Sequence, residues 1–271
     1  MIRVIRRNQN YRARIALQPG PCTRLIDDSA RAIRAVIPPH LFDLLIMHSY
    51  PRNDNIYTVH HFDTASRIFG GKPFYVSEWN IHSCWNPDFE FRAGNCVSVD
   101  EFFFRSFGLS QAGAMVEHFG QMVRRDIFAA TGWAVQQNNM TSYFRNEGVG
   151  PDTPLVGGQA FGWLSQTAGM RLVGAHQSRG ETDIQVNAFA RGERRMEIFV
   201  YARGAQTQSI DIQVQGFRFS RYWGQRLYGA SHERFVVPAA APAEALRFGN
   251  RLVVPVRLNT PHELVRLSLQ A

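Results

Sequence analysis

The spacing of apolar residues changes near residue 172, and this change restricts the fold more than any other feature of the sequence. Before it, short apolar runs alternate with stretches of helical periodicity; after it, apolar and polar residues alternate. The first pattern predicts repeated β/α units around a parallel sheet, and the second predicts a small antiparallel sandwich. The sequence therefore predicts two domains, residues 1–172 and 173–271.

Four β/α units are predicted in the first domain. Their strands fall at residues 13–17, 41–47, 73–76 and within 127–137, and each is followed by a helix that Pro or Gly residues delimit. In the second domain, alternation around Ile184, Met196, Ile210, Leu252 and Val265 predicts five strands. The Pro- and Ala-rich stretch 238–245 is interpreted as a loop within the sandwich. The predicted fold class is α/β, with a β-sandwich after the parallel part.

Composition excludes several classes of protein. The chain has 271 residues, is 45% hydrophobic and carries a net charge of +8, so we expect a globular protein without a membrane association. Its basic residues are scattered outside the first 14 positions, which favours a solvated basic surface over nucleic-acid binding. The start of the sequence has no secretory signal pattern, and both a cytoplasmic and a secreted location stay open.

Polar side chains follow the predicted strands where each one ends. Period two groups Leu44, Ile46, His48 and Tyr50 on one face, Phe74, Val76 and Glu78 on a second, and Trp133, Val135 and Gln137 on a third. The carboxyl ends of parallel barrel strands surround the active site. We therefore expect functional groups from all three strands to meet at one edge.

Glu78 is the main candidate because it directly follows Phe74-Tyr75-Val76-Ser77 and precedes Trp79-Asn80. A carboxylate at the end of an apolar strand needs a partner or a function. It suits attack on an anomeric carbon, which in a retaining glycosidase requires a second, protonated carboxyl about 5 Å away. The alternative is a structural ion pair with an arginine of the barrel.

Three segments resemble strands six, seven and eight of clan A glycoside hydrolases: residues 43–51, the motif Ser77-Glu78-Trp79-Asn80 and the strand with Trp133. Within that clan they are most similar to the β-xylosidase and α-L-iduronidase family and its relatives. The resemblance implies the second half, about strands 5–8, of a (β/α)8 TIM barrel followed by a β-sandwich, and a retaining mechanism with Glu78 as nucleophile. It assigns His48 and Tyr50 to the reacting sugar or to Glu78, and Trp133 to stacking on the sugar. The remaining substrate-binding candidates are Trp79, Asn80, His82 and Gln137.

The sequence departs from this clan in one respect. Clan members have an acid/base glutamate after an asparagine at strand four, whereas the only Asn-Glu pair here, Asn146-Glu147, follows the last strand. The chain is therefore interpreted as an incomplete glycosidase acting on a poly- or oligosaccharide, or else as a non-catalytic carbohydrate-binding relative. No cofactor or metal is expected. A half-barrel also leaves strand edges and apolar surface open, so we expect either an unstable isolated chain or coverage by a partner or a second copy.

Overall fold

The computed structural model describes residues 14–20, 26–51, 59–81, 108–133, 135, 141–144, 154–177, 183–203, 207–217, 219–229, 238–241 and 245–271. Within these ranges a parallel sheet comes first and antiparallel sheets follow, as the change of periodicity predicts. None of the described helices is long and apolar enough to cross a lipid bilayer.

The first part is a four-stranded parallel sheet in the order β1-β2-β3-β4. Its strands are β1 (Ala16–Leu17), β2 (Leu44–Ser49), β3 (Phe74–Trp79) and β4 (Ile127–Gly132), and its helices are α1 (Ile26–Val36), α2 (His60–Phe69), α3 (Leu109–Val123) and α4 (Val156–Ser165). Each strand is thus followed by a helix, and the predicted sequence of β/α units is confirmed.

The helices cover one face of this sheet. Phe62 and Phe69 on α2 are buried, and their rings contact Phe74 of β3 and Phe42 edge to face. Helix α2 ends at Gly70, whose φ of 75° is a left-handed conformation that glycine adopts without a Cβ clash. Sequence periodicity and the glycine stop therefore place α2 as predicted.

The sheet is curved, and its other face is concave. Arg14 lies just before β1 and Phe128 lies in β4, at opposite edges of the sheet, yet the Arg14 guanidinium is 4.2 Å from the centre of the Phe128 ring. In a flat sheet the two edge strands would be about 14 Å apart. On this concave face Phe128 is 55% exposed, and Ile46 and Tyr75 are half-buried, so apolar surface is open to solvent.

Within the described residues the second part, called the β domain below, contains nine strands in two antiparallel sheets. The strands are β5 (Arg171–Gln177), β6 (Ile184–Arg191), β7 (Arg195–Ala202), β8 (Gln208–Gln215), β9 (Arg221–Leu227), β10 (Ala239–Ala241), β11 (Leu246–Phe248), β12 (Arg251–Leu258) and β13 (Leu264–Gln270). One sheet has the order β10-β9-β13-β7-β6-β5 and the other β11-β12-β8. The stretch 238–245 is not wholly a loop, because β10 pairs with β9.

The outer face of the larger sheet packs against α3 and α4. Glu197 on β7 is fully buried, and it accepts hydrogen bonds from Arg266 (2.8 Å) and Ser268 (2.6 Å) of β13. Arg266 also donates to Gln166, directly after α4, at 2.6 Å and lies over the Trp163 ring. These contacts fasten the β-sheet to the last helix of the parallel part. The predicted domain division at residues 172 and 173 stays a prediction.

His61 is a buried base in the helical layer. It is 4% exposed, and its ring is 4.5 Å from the Phe62 ring. Its Nε2 has no hydrogen-bond partner within the described part of the chain. Burial lowers the pKa of His61 from 6.5 to about 3, and the nearby His118 and His60 lower it as well.

We expect this histidine to make folding sensitive to acid. The pKa of the imidazole is 6.5 in the unfolded chain and about 3 in the folded chain. The contribution of neutral His61 to stability is therefore complete above pH 6.5 and is lost as the pH falls toward 3. The free energy of unfolding should fall by at most about 1.4 kcal/mol for each unit by which the pH is lowered. Urea unfolding of the parent chain and of His61→Phe between about pH 7.5 and 4.5 measures it. His40→Gln, at an exposed position outside this cluster, is the control, and identical pH dependence in all three proteins would contradict the prediction.

Candidate active site

A one-residue bulge in β3 sets the direction of Glu78. Met47 of β2 pairs with Val76, but the next residue, His48, pairs with Glu78, so Ser77 is the extra residue. The Ser77 hydroxyl donates to the Met47 carbonyl at 3.4 Å. Glu78 consequently leaves the buried face of Val76 and lies on the same side of the sheet as His48. The prediction that Glu78 shares a face with Phe74 and Val76 is wrong for this reason.

Two side chains hold the Glu78 carboxylate, one from within β2 and one from the residue directly after it. The Tyr50 hydroxyl donates to Oε2 at 2.9 Å, and Nδ1 of His48 lies 3.3 Å from the same oxygen. The Glu78 side chain is 32% exposed and that of His48 is 37% exposed. The three predicted residues therefore meet at the carboxyl edge of the parallel sheet, and solvent reaches the carboxylate.

Tyr50 acts as a permanent hydrogen-bond donor in this arrangement. Burial raises the pKa of the Tyr50 phenol, and the hydrogen bond to Glu78 and the negative charge of that carboxylate raise it further. The phenol stays protonated across the physiological range. Within the described part of the chain, both of these contacts are to Oε2 and not to the other carboxylate oxygen, Oε1.

Trp79 does not lie in the site. Its side chain is 1% exposed and packs among Phe119 and Phe161 on the helical side of the sheet, with ring centres 5.6 and 6.1 Å away. It occupies the buried face because the bulge at Ser77 places it in line with Val76. The expected sugar contact by Trp79 is corrected accordingly, since no face of the ring is open.

Asn80 is also buried and serves the backbone. Its Nδ2 donates to the carbonyls of Trp133 (2.6 Å) and Thr141 (2.8 Å). Its Oδ1 accepts from the N–H of Ile81 (2.7 Å) and from Gln111 (3.2 Å). Every hydrogen-bonding group of this amide is occupied, so the expected substrate contact is replaced by a structural one that ties β3 to the segment after β4.

Trp133 is placed at the same edge but after its strand. β4 ends at Gly132, and the Trp133 N–H donates to the carbonyl of Trp79 at 3.1 Å. The side chain is 44% exposed, which leaves the indole open for stacking. His82, Gln137 and the pair Asn146-Glu147 lie outside the described residues.

Two buried hydrogen bonds behind the site were not predicted. His118 of α3 is fully buried, and its Nε2 forms a 2.8 Å hydrogen bond with the hydroxyl of Ser49 at the end of β2. The Tyr143 hydroxyl donates to the Trp79 carbonyl at 3.2 Å. Both fix the strand ends from the helical side. The spacing of His118 along α3 puts it on an apolar face, but no pattern in the sequence names Ser49 as its partner.

Among the described residues Glu78 is the only carboxylate that lies in, or directly after, a strand of the parallel sheet. Asp43 and Asp126 precede β2 and β4 and so lie at the opposite end of the sheet. Asp63 is bound by Arg125, and Glu117 is bound by Arg203. The described part of the chain also contains no group of three or more His, Cys, Asp or Glu side chains that is arranged to hold a metal ion.

Comparison with known proteins places the fold. No protein-family model matches the sequence, and no curated protein matches it. Solved structures similar over the whole chain include a glycoside hydrolase family 30 endoxylanase from Clostridium papyrosolvens, with a TM-score of 0.60 and 13% identity. For a family 30 subfamily 8 xylanase from Clostridium acetobutylicum the TM-score is 0.63 and the identity 11%. For the catalytic domain of a family 30 xylanase from Talaromyces cellulolyticus the TM-score is 0.61 and the identity 14%.

The chain therefore has a glycoside-hydrolase-like fold, as its motifs imply. These neighbours support a glycoside hydrolase fold, and the finer similarity to the β-xylosidase and α-L-iduronidase family stays a prediction. This chain spans 60%, 59% and 55% of the three neighbours, so about two fifths of each has no counterpart here.

We expect Asn80→Ala to destabilise the protein by about 3 kcal/mol, because it leaves two carbonyls, an N–H and the Gln111 amide without their partner. Urea unfolding at neutral pH measures the difference. Asn250→Ala, at an exposed turn, is the matched control and is expected to change stability by about 0.5 kcal/mol or less. Equal stability of Asn80→Ala and the parent chain would contradict the structural role.

Proposed function

We propose that this chain carries the nucleophile of a retaining glycoside hydrolase that acts on a poly- or oligosaccharide. The observation that carries the proposal is the Glu78 carboxylate, which Tyr50 and His48 hold at the open carboxyl edge of a parallel sheet. That edge is where enzymes with β/α barrels bind their substrates. Catalytic carboxylates of glycosidases need such a fixed orientation toward the anomeric carbon.

The chemistry follows from the two oxygens of Glu78. Tyr50 and His48 both contact Oε2, so Oε1 attacks the anomeric carbon and forms a glycosyl ester. The bond to the leaving oxygen breaks, and that oxygen takes the bonding electrons and a proton from a general acid. The conjugate base of that acid then takes a proton from water, which attacks the anomeric carbon from the opposite side, breaks its bond to Oε1 and releases the sugar with its original configuration and the free carboxylate. Trp133 would stack on the apolar face of the sugar.

The general acid is proposed to come from outside the described residues. In the described part of the chain Glu78 is the only carboxylate in, or directly after, a strand of the parallel sheet, and the chain spans about 60% of the xylanases that it resembles in fold. The acid/base residue and the remaining barrel strands would then belong to further polypeptide, either linked or separate. The open concave face around Phe128 and Tyr75 would lie against that polypeptide.

The names of the structural neighbours favour a xylan-type substrate. This substrate class agrees with the β-xylosidase side of the resemblance in the motifs. A second function is favoured by the single carboxylate in, or directly after, the described parallel strands: a carbohydrate-binding protein that retains the aromatic and polar groups of the subsite but has no turnover. The two functions differ in whether Glu78 forms a covalent bond.

A substrate that needs no acid tests the nucleophile in the chain as it exists. We expect 2,4-dinitrophenyl 2-deoxy-2-fluoro-β-xyloside to release dinitrophenolate and leave one fluoroxylosyl group on each chain. The leaving group departs without a proton, and the fluorine destabilises the transition state for hydrolysis of the ester, so the intermediate accumulates. Intact mass and peptide mass spectrometry would locate the added group on the peptide that contains Glu78.

Glu78→Gln is expected to abolish the labelling, and Glu193→Gln, at an exposed turn of the β domain, to leave it unchanged. The corresponding β-glucoside, used in parallel, tests the sugar preference. Labelling at a different carboxylate would refute the role of Glu78. Saturable binding of xylo-oligosaccharides without any labelling would support the non-catalytic function instead.

A further inference from the structure

A buried pair of polar side chains lies on the helical side of the sheet, directly behind the Glu78 carboxylate. Ser49 is the last residue of β2, His118 belongs to α3, and the Ser49 hydroxyl is 2.8 Å from the His118 Nε2. Ser49 is 1% exposed and His118 is fully buried. Earlier in the same layer, Met47 and Val76 are apolar and fully buried. The layer thus becomes polar at the end of β2 that carries the candidate site.

The hydrogen bond between these side chains contributes direction more than stability. Burial of a hydroxyl and an imidazole costs free energy, and one hydrogen bond between them does little more than offset that cost. Two apolar side chains of similar size would fill the same space. A hydrogen bond, however, fixes a distance and an angle between its two groups, and buried polar contacts that are satisfied specify one arrangement of the core.

The hydroxyl that His118 holds belongs to the residue between the two partners of Glu78. Ser49 separates His48 from Tyr50, and both of these side chains contact the Oε2 atom of the carboxylate. Alternate residues of a strand point to opposite faces. A Ser49 side chain that is fixed on the buried face therefore keeps its two neighbours directed toward the open face.

His118 also contacts the end of β3. Its ring centre is 6.5 Å from that of Trp79, the residue directly after Glu78. Beyond the bulge the β2–β3 ladder continues for two residue pairs, and the Asn80 N–H donates to the Ser49 carbonyl at 3.2 Å. Because so short a ladder leaves the strand ends with few backbone bonds, a side chain that contacts both ends from the helix has a large share in their alignment.

Helix α3 is itself held on its opposite side by the β domain. Gly113 lies so close to the Tyr201 ring of β7 that an added Cβ would overlap it. Glu117 is 3% exposed and accepts a hydrogen bond from Arg203, directly after β7, at 2.9 Å. The position of His118 is therefore set by the packing of α3 on the β domain, and the imidazole transfers that position to the strand ends.

We propose that His118 is a positioning residue for the proposed nucleophile: it holds the ends of β2 and β3 from the helical side, so that the two side chains on Glu78 keep the carboxylate in the direction of attack. The inference rests on the proposed function of Glu78. His118 lies on the other face of the sheet and does not touch the substrate. Its loss changes the geometry of attack, and a shift of about 1 Å in a reacting group is enough to slow a reaction roughly 100-fold.

A double variant separates positioning from stability. Ser49→Ala combined with His118→Phe removes both partners of the hydrogen bond and keeps an aromatic ring beside Trp79. With the fluoroxyloside described above, we expect the labelling rate at saturating reagent to fall about tenfold. The reagent concentration that gives half the maximal rate should change by less than about twofold, because the sugar-binding groups remain. Ser49→Ala alone is expected to show the same split and replaces the double variant if the latter does not fold.

Thr167→Val is the control for loss of stability. It removes a buried hydroxyl that donates to the Leu164 carbonyl at 2.7 Å after the end of α4. We expect it to lower the urea midpoint and to leave the labelling rate unchanged. Labelling of the double variant at the parent's rate would overturn the proposal. Equal slowing in Thr167→Val would also overturn it, because stability alone would then explain the effect.

Nuclear magnetic resonance tests the geometry without any reaction. In chain that contains tyrosine labelled with carbon-13 at Cζ, Tyr50→Phe identifies the Tyr50 signal, and Glu78→Gln gives its position without the carboxylate acceptor. We expect the double variant to shift this signal toward its position in Glu78→Gln, and Thr167→Val to leave it in place. A parent chain that is not labelled at Glu78 would refute the proposed function alone. A Tyr50 signal that is identical in the double variant and the parent would overturn the positioning role, whether or not the chain is labelled.

Discussion

The candidate site depends on Ser77, the one extra residue that forms the bulge in β3. Val76 and Trp79 both lie on the buried face although three positions separate them, because the bulge absorbs one residue between them. Glu78 can therefore lie opposite His48 and accept a hydrogen bond from Tyr50. Without the bulge, the carboxylate would be directed into the apolar layer beneath α2 and α3, where an unpaired charge costs several kcal/mol. The orientation of the Glu78 carboxylate and the packing of the core thus depend on the same local irregularity of the backbone.

The sequence predicted the parallel half of the fold well, because apolar periodicity and glycine or proline stops act locally there. It also brought His48, Tyr50 and Glu78 together correctly, since strand ends of a parallel sheet meet at one edge. It failed for Trp79 and Asn80, because period two holds only in a regular strand and a bulge has no clear signal in the residue types of Phe74-Tyr75-Val76-Ser77-Glu78. Aromatic and amide side chains beside a carboxylate look the same in a sequence whether they face a substrate or the core.

The β domain shows a different limit. Strands such as β6 and β12 alternate clearly, whereas β9 does not, because both of its faces carry polar and aromatic side chains. The short β10 consists of three alanines, and alanine has little preference for strands. Its pairing with β9 is fixed by neighbours distant in sequence. Such strands are decided by tertiary contacts, and local patterns therefore miss them.

The apolar core of the parallel half does not stop at the change in periodicity. It includes Phe189, Phe199, Tyr201, Leu227 and Leu264 from the antiparallel sheet, and the buried Glu197–Arg266 pair is capped by Gln166 and Trp163 from the helical side. The two halves are thus topologically distinct but not modular. Expression of either half by itself would expose aromatic surface that the other half covers, so we do not expect the β domain to fold as an independent cassette on another protein.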